Sequence, residues 1–148
     1  MHDRPTAAEL VEAVRGYLET ELLPALTDAR QRFQALVAAN VLAIAGRELA
    51  TEETALREEA GLLKDVLETP DEAPARLAEL RAAVVEANRR LCARIRAGAF
   101  DEMARFAPLA TVLRRLVMRK LEVANPRYLA AWAVSGGRGA SAPDSATH

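Results

Sequence analysis

The chain predicts an all-α fold, a single-domain bundle of four to five helices followed by a disordered C-terminal tail, and three observations carry that prediction. Alanine, leucine, arginine and glutamate, all strong helix formers, fill most positions, while isoleucine occurs only at Ile44 and Ile95. No stretch keeps the two-residue alternation of a half-buried strand for long enough to count. Apolar residues recur instead at three- and four-residue spacings between proline and glycine punctuation. With 148 residues, 51% of them hydrophobic and 28% charged, the composition suits one globular domain with one core. The bundle is assigned to residues 1–134 and the tail to residues 135–148.

The first helix starts at a capping box, in which the Thr6 hydroxyl accepts from the Glu9 N–H and the Glu9 carboxylate reaches back. Its apolar line is Leu10, Val14, Leu18 and Leu22, and Pro24 is expected to end or kink it. Thr27 or Asp28 suits the cap of a second helix, with the line Phe33, Val37, Asn40, Ile44 and Arg47. A third helix is expected to begin near Thr51, with Glu52 and Glu53 at its positive end and Leu56, Ala60, Leu63 and Leu67 facing inward. Thr69 to Glu72 reads as a turn, and Pro74 fits the first turn of a fourth helix bearing Leu77, Leu80, Val84, Leu91 and Ile95. Gly98 is its natural stop. An irregular piece from Phe100 to Ala107 precedes a fifth helix, opened by Pro108 and ended by Asn125-Pro126. Beyond Val134 the Gly/Ser-rich remainder has the composition of a flexible tail.

Several function classes are excluded by what the helical part lacks. Every serine (Ser135, Ser141, Ser145) falls in the expected tail, and the two histidines are His2 and His148. A Ser-His-Asp site needs a rigidly placed serine and imidazole, and zinc or di-iron sites need internal histidines. Cys92 lies between Leu91 and Ala93 and reads as a small core hydrophobe. Gly16, Gly46 and Gly61 are isolated within helices, so there is no phosphate loop or dinucleotide fingerprint, and close helix packing explains them better. An all-carboxylate magnesium site would have to draw on Glu48, Glu52 and Glu53 or on Glu58 and Glu59, positions better explained as an acidic helix face. The expectation is therefore no enzyme and no cofactor.

Charge is polarised. Residues 1–72 carry a net −8 and residues 73–148 a net +7. The plainer reading is that acidic early helices lie beside basic late ones in ordinary surface pairs. The sharper one is a basic face, including Arg89, Arg90, Arg94, Arg115 and Arg119, that docks an acidic protein partner together with Tyr128 and Trp132. Nucleic acid is not expected as a partner, because these arginines have no interleaved aromatics and the acidic half would repel a phosphate backbone. Asn40 and Asn88 each sit amid apolar neighbours, so they bond one another or Arg47 to set helix register, line a small-molecule pocket with Arg47, or are partly exposed. Tyr128 and Trp132 either close the bundle end or anchor an interface.

The start of the chain lacks the basic-then-apolar order of a secretory signal. The longest near-apolar run, Ala35 to Gly46, is too short to span a bilayer. A single cysteine gives no reason to invoke an oxidising compartment. The expectation is a cytoplasmic protein with no membrane partner, and a homodimer is compatible with it.

An ordered set of segments carries a family resemblance. Arg4-Pro5-Thr6-Ala7-Ala8-Glu9-Leu10, Leu22-Leu23-Pro24-Ala25-Leu26, Val37-Ala38-Ala39-Asn40, Ile44, Arg47-Glu48-Leu49, Asn88, Arg94-Ile95-Arg96-Ala97-Gly98, and Lys120-Leu121 before Asn125-Pro126-Arg127-Tyr128 occur in sequence. Together they resemble a bacterial family of small helical domains of unknown function. Members sit beside, or are fused to, kinases resembling aminoglycoside and choline phosphotransferases, often near acyl-CoA dehydrogenases. The resemblance spans about residues 3 to 130 and carries over no catalytic residue. It implies a helical accessory protein associated with a phosphotransferase-like small-molecule kinase. The alternative kept beside it is a bundle that binds a metabolite or an acyl group.

Overall fold

The structure is a computed structural model that describes residues 4–69 and 73–134, and within them every regular element is helical. Residues 135–148, where the tail is expected, lie outside the described part. Helix α1 (Ala7–Tyr17) runs through a π-helical turn (Leu18–Leu22) into the short α2 (Leu23–Ala25). Then follow α3 (Ala29–Leu67), α4 (Leu77–Arg96), α5 (Met103–Ala124) and α6 (Pro126–Val134).

The capping box at Thr6 forms as expected: the Glu9 N–H donates to Thr6 Oγ1 at 3.2 Å, and the Thr6 N–H donates to Glu9 Oε2 at 2.7 Å. Pro24 does not stop the first helical rod at once. The wider turn at Leu18–Leu22, closed by the Leu23 N–H on the Leu18 carbonyl, takes up the misfit a proline imposes on the preceding turn. Asp28 is the cap of α3, accepting from the Gln31 N–H at 2.7 Å.

The expected break at Thr51 is absent, and the second and third predicted helices are one 39-residue helix. Thr51 makes no cap because its hydroxyl donates back to the Arg47 carbonyl at 2.8 Å, the pattern of a threonine inside a helix. Nothing between Ala45 and Glu53 is a strong helix breaker, so the lone Gly46 is carried through. A second correction concerns α5, which begins at Met103 with Pro108 inside it. Met-Ala-Arg-Phe-Ala is good helix sequence, and a proline this close to the start removes a single interior hydrogen bond.

The long helix, about 58 Å from end to end, organises everything else. On its first half α1 lies antiparallel, with Val11 Cγ1 only 3.6 Å from where a Cβ on Gly46 would sit, and with Arg32 donating to the Leu23 carbonyl at 3.4 Å. On its second half α4 runs parallel: Arg81 meets Glu52, Asn88 meets Glu59, and Arg94 meets the Leu67 carbonyl. The connection must therefore double back along α3, and Arg57 holds it by donating to the carbonyls of Pro74 and Ala75. Helix α5 returns antiparallel, placing Arg115 on Glu58 and its last turn on Arg47.

The core sits at this second half. Leu63 and Leu80 are fully enclosed, and Leu67, Val84, Ala87, Leu91, Phe100, Leu109 and Leu116 complete it. Cys92, expected in the core, is exposed. The buried line of α4 steps Leu80, Val84, Ala87, Leu91, and the residue after Leu91 points about 100° away from it. The first half of α3 buries far less, with Ala35 and Ala39 as its enclosed residues, and α1 contributes none.

Candidate functional site, a charged seam between three helices

Glu59 projects from α3 on the same side as Leu56 and Leu63, so its carboxylate arrives where α3, α4 and α5 meet. Its Oε1 accepts from Asn88 Nδ2 at 2.8 Å and lies 3.3 Å from Lys120 Nζ, with 12% of the side chain exposed. Asn88 also donates to the Val84 carbonyl at 3.0 Å. Glu58, the residue before Glu59, lies on the rim and takes Arg115 Nε at 2.9 Å and Arg119 Nε at 3.1 Å. These guanidinium groups, Arg115 first by hydrogen bonding and then Arg119 by its charge, hold the Glu58 carboxyl below the usual carboxylate range. Arg81 does the same to Glu52 by direct hydrogen bonding.

Beside this seam, between α3 and α5, lies a cleft of about 330 Å³. Ile44, Ala55, Leu56 and Leu116 are its apolar lining, and Glu48, Glu52, Glu58 and Glu59 line it together with Arg119 and Lys120. That is a size at which small ligands are held. Among the described residues no three His, Cys, Asp or Glu side chains converge as a metal cluster would require.

Asn40, Arg47 and Asn88 are not brought together. Asn88 belongs to the seam, whereas Asn40 is exposed on α3 nineteen residues before Glu59, about 28 Å along the helix. Asn40 and Arg47 do share a second cleft, with Arg15, Glu19 and the Asn125–Arg127 corner, but Asn88 does not line it. Arg47 is committed to the end of α5, where its Nε donates to the Val123 carbonyl at 2.7 Å and satisfies an orphan acceptor of the last turn. Arg94 serves α3 likewise, donating to the Leu67 carbonyl at 3.2 Å while lying 5.3 Å from the centre of the Phe100 ring.

The arginines considered as a docking face are largely engaged within the chain. Arg115 and Arg119 close on Glu58, Arg94 caps α3, and Arg89 lies 3.6 Å from Glu86 on its own helix. Arg90 and Tyr128 are exposed. Trp132 is half-buried, with the Arg114 guanidinium 5.5 Å from its ring centre, which docks α6 against α5. Acidic α3 beside basic α4 and α5 is the plainer of the two charge arrangements, and it is the one the helices adopt. Sequence reasoning missed Glu59 as the hub of the seam. Its signal was a carboxylate on the apolar line between Leu56 and Leu63.

A large part of the first half of α3 faces outward although it is apolar. Residues 35–46 contain one polar side chain, Asn40, and yet Leu36, Val37 and Val41 are exposed. An 18-residue stretch of α3 reaches a mean hydropathy of 1.2, enough in length and composition to cross a membrane, and 6% of that stretch is buried. On α1, Leu10, Val14 and Tyr17 are likewise exposed.

The class defined by these features is an all-helical protein built on one long helix, closed by ion pairs at one end and apolar on its surface at the other. The family model for a domain of unknown function, DUF6285, matches residues 24–128, from α2 into α6, and the chain belongs to that family. No curated protein and no solved structure matches it.

Proposed function

We propose that the protein is a non-enzymatic, cytoplasmic accessory module that binds a phosphotransferase-like small-molecule kinase. The observation that carries the reading is the outward line of α1, where Leu10, Val14 and Tyr17 are 54%, 52% and 58% exposed. An apolar line left on the surface of a capped, well-formed helix suits a protein interface. The kinase as partner comes from the resemblance of the segments Arg4–Leu10, Leu22–Leu26 and Asn125–Tyr128 to small helical domains found beside such kinases.

The test is capture from the native cell with the tagged full chain, followed by direct binding of the purified kinase. The expected result is recovery of a phosphotransferase-like kinase that binds the wild type at micromolar concentration and the Val14→Arg variant about tenfold or more weakly. If no such kinase is recovered, or if Val14→Arg binds it as well as wild type does, the reading fails.

A second reading rests on the cleft between α3 and α5. Its apolar floor suits an acyl group or another small metabolite with an apolar body, since Arg119 and Lys120 beside it are paired with Glu58 and Glu59. Native mass spectrometry of the protein from its own cell checks this, with a bound small molecule as the supporting outcome.

A further inference from the structure

We infer that the first half of α3 is the self-association surface of the protein, and that two copies pair there with their long helices antiparallel. This stands apart from the kinase reading, which concerns α1, packed on the other side of the helix.

The face is defined by helical arithmetic. Arg30, Val37, Val41, Ile44 and Glu48 fall on one side of α3, with Phe33 at its edge, and α1 covers the opposite side through Ala35, Ala39 and Gly46. Phe33, Val37 and Val41 are 66%, 46% and 56% exposed. Eighteen residues, five full turns, carry each position to the same azimuth further along. Val37, Val41, Ile44 and Glu48 thereby map onto Ala55, Glu59, Leu62 and Val66. Those four lie on the side of α3 that α4 and α5 cover: Glu59 binds Asn88 and Lys120, and Leu62 and Val66 pack on the core. One continuous face of one helix is therefore covered over its second half and bare from Arg30 to Val41, with Ile44 and Glu48 at the boundary, where they line the cleft against the last turns of α5. A helix that is apolar on every side is ordinarily enclosed.

Charge selects the occupant. Arg30 stands at one end of the face and Glu48 at the other, on the open edge of the cleft against α5, five turns apart with the valines midway. Among the described residues neither forms a direct ion pair, although Glu48 acts at longer range on Arg81, whereas Glu52, Glu53, Glu58 and Glu59 are all directly paired. A second copy laid antiparallel sets each Arg30 against the other copy's Glu48 while Val37 and Val41 interdigitate at the centre. A parallel copy would oppose like charges at both ends. The face is thus self-complementary about a two-fold axis near Ala39, as an isologous dimer requires. Five turns give about 27 Å of seam, shorter than a standard stable interface of ~800 Å² per partner demands, so a reversible dimer is expected.

Sedimentation velocity on the full chain over a range of micromolar concentrations tests this. Wild type should pass from monomer to dimer, and Val41→Arg should stay monomeric with unchanged helical circular dichroism. Arg30→Glu should weaken the dimer about tenfold, and the double variant Arg30→Glu with Glu48→Arg should restore it. A wild type that is monomeric throughout, a dimer that survives Val41→Arg, or a double variant no stronger than the single would each overturn the inference. Flotation with phosphatidylcholine/phosphatidylserine vesicles reads the competing use of the face. A monomer that floats, and loses flotation on Val41→Arg, assigns it to a lipid surface and overturns the dimer.

Discussion

Glu58 shows how single side chains bind the helices together. Two guanidinium groups from α5 reach one carboxylate on α3, and together they hold it ionised below the usual carboxylate range. A carboxylate whose folded pKa lies under its unfolded value near ~4.3 stabilises the fold above that value, and the contribution disappears as pH falls through the folded pKa. Glu58→Gln should therefore lower the melting temperature at neutral pH, and the gap to wild type should close as the pH drops below the carboxylate range. Parallel melts across pH check this; a gap that is the same at every pH would show that Glu58 acts through packing and not through its charge. At this scale the sequence was partly legible. An asparagine among apolar neighbours signals a buried polar bond, and Asn88 has one. Its partner, Glu59, was hidden because finding it requires the parallel register of α3 and α4, which no local pattern encodes. Asn40 carried the same signal, yet it is exposed at the mouth of the cleft it shares with Arg15, Glu19 and Arg47.

At the scale of elements, start signals were easier to read than stop signals. Thr6 and Asp28 cap as their side chains predict, since an N-cap bond is local and needs nothing beyond three residues. Thr51 offered the same chemistry inside a run of helix formers, and its hydroxyl found the Arg47 carbonyl instead. Pro108 was a plausible first residue of α5, yet five residues with high helix propensity precede it inside the helix. The unbroken α3 leads to a clear expectation. Ala50→Pro places a ring against the carbonyl of Gly46 and removes an interior hydrogen bond, at a cost of about 3 kcal/mol or more. Denaturant unfolding measures this. Two separate helices meeting at residues 50 and 51 would tolerate the proline with little loss, so a small effect would restore the predicted break.

Across the whole molecule the two halves are unequally built. Nearly all of the enclosed large side chains belong to the end where α4 and α5 cover α3, while the α1 end leaves apolar residues in solvent. Local opening free energy follows buried apolar contact, so the backbone amides of residues 35–46 should exchange hydrogen faster than those of residues 56–67 in dilute solution. Hydrogen exchange read by mass spectrometry checks this, and uniform protection along α3 would contradict it. The all-helical class and the meeting of an acidic half with a basic half were legible from composition and charge order alone. The unequal cover was not, because it depends on where α5 happens to end. The parallel run of α4 along α3 has a further consequence, for how the chain finds its fold. In an antiparallel pair the first contacts form next to the turn, and the rest close like a zip, each across a slightly longer loop. Here Glu52 meets Arg81 and Glu59 meets Asn88 across the same separation of 29 residues. Arg94 meets the Leu67 carbonyl across 27 residues, so each contact is made against nearly the same loop-closure entropy, and the pair is expected to assemble in one step rather than by growth from an end.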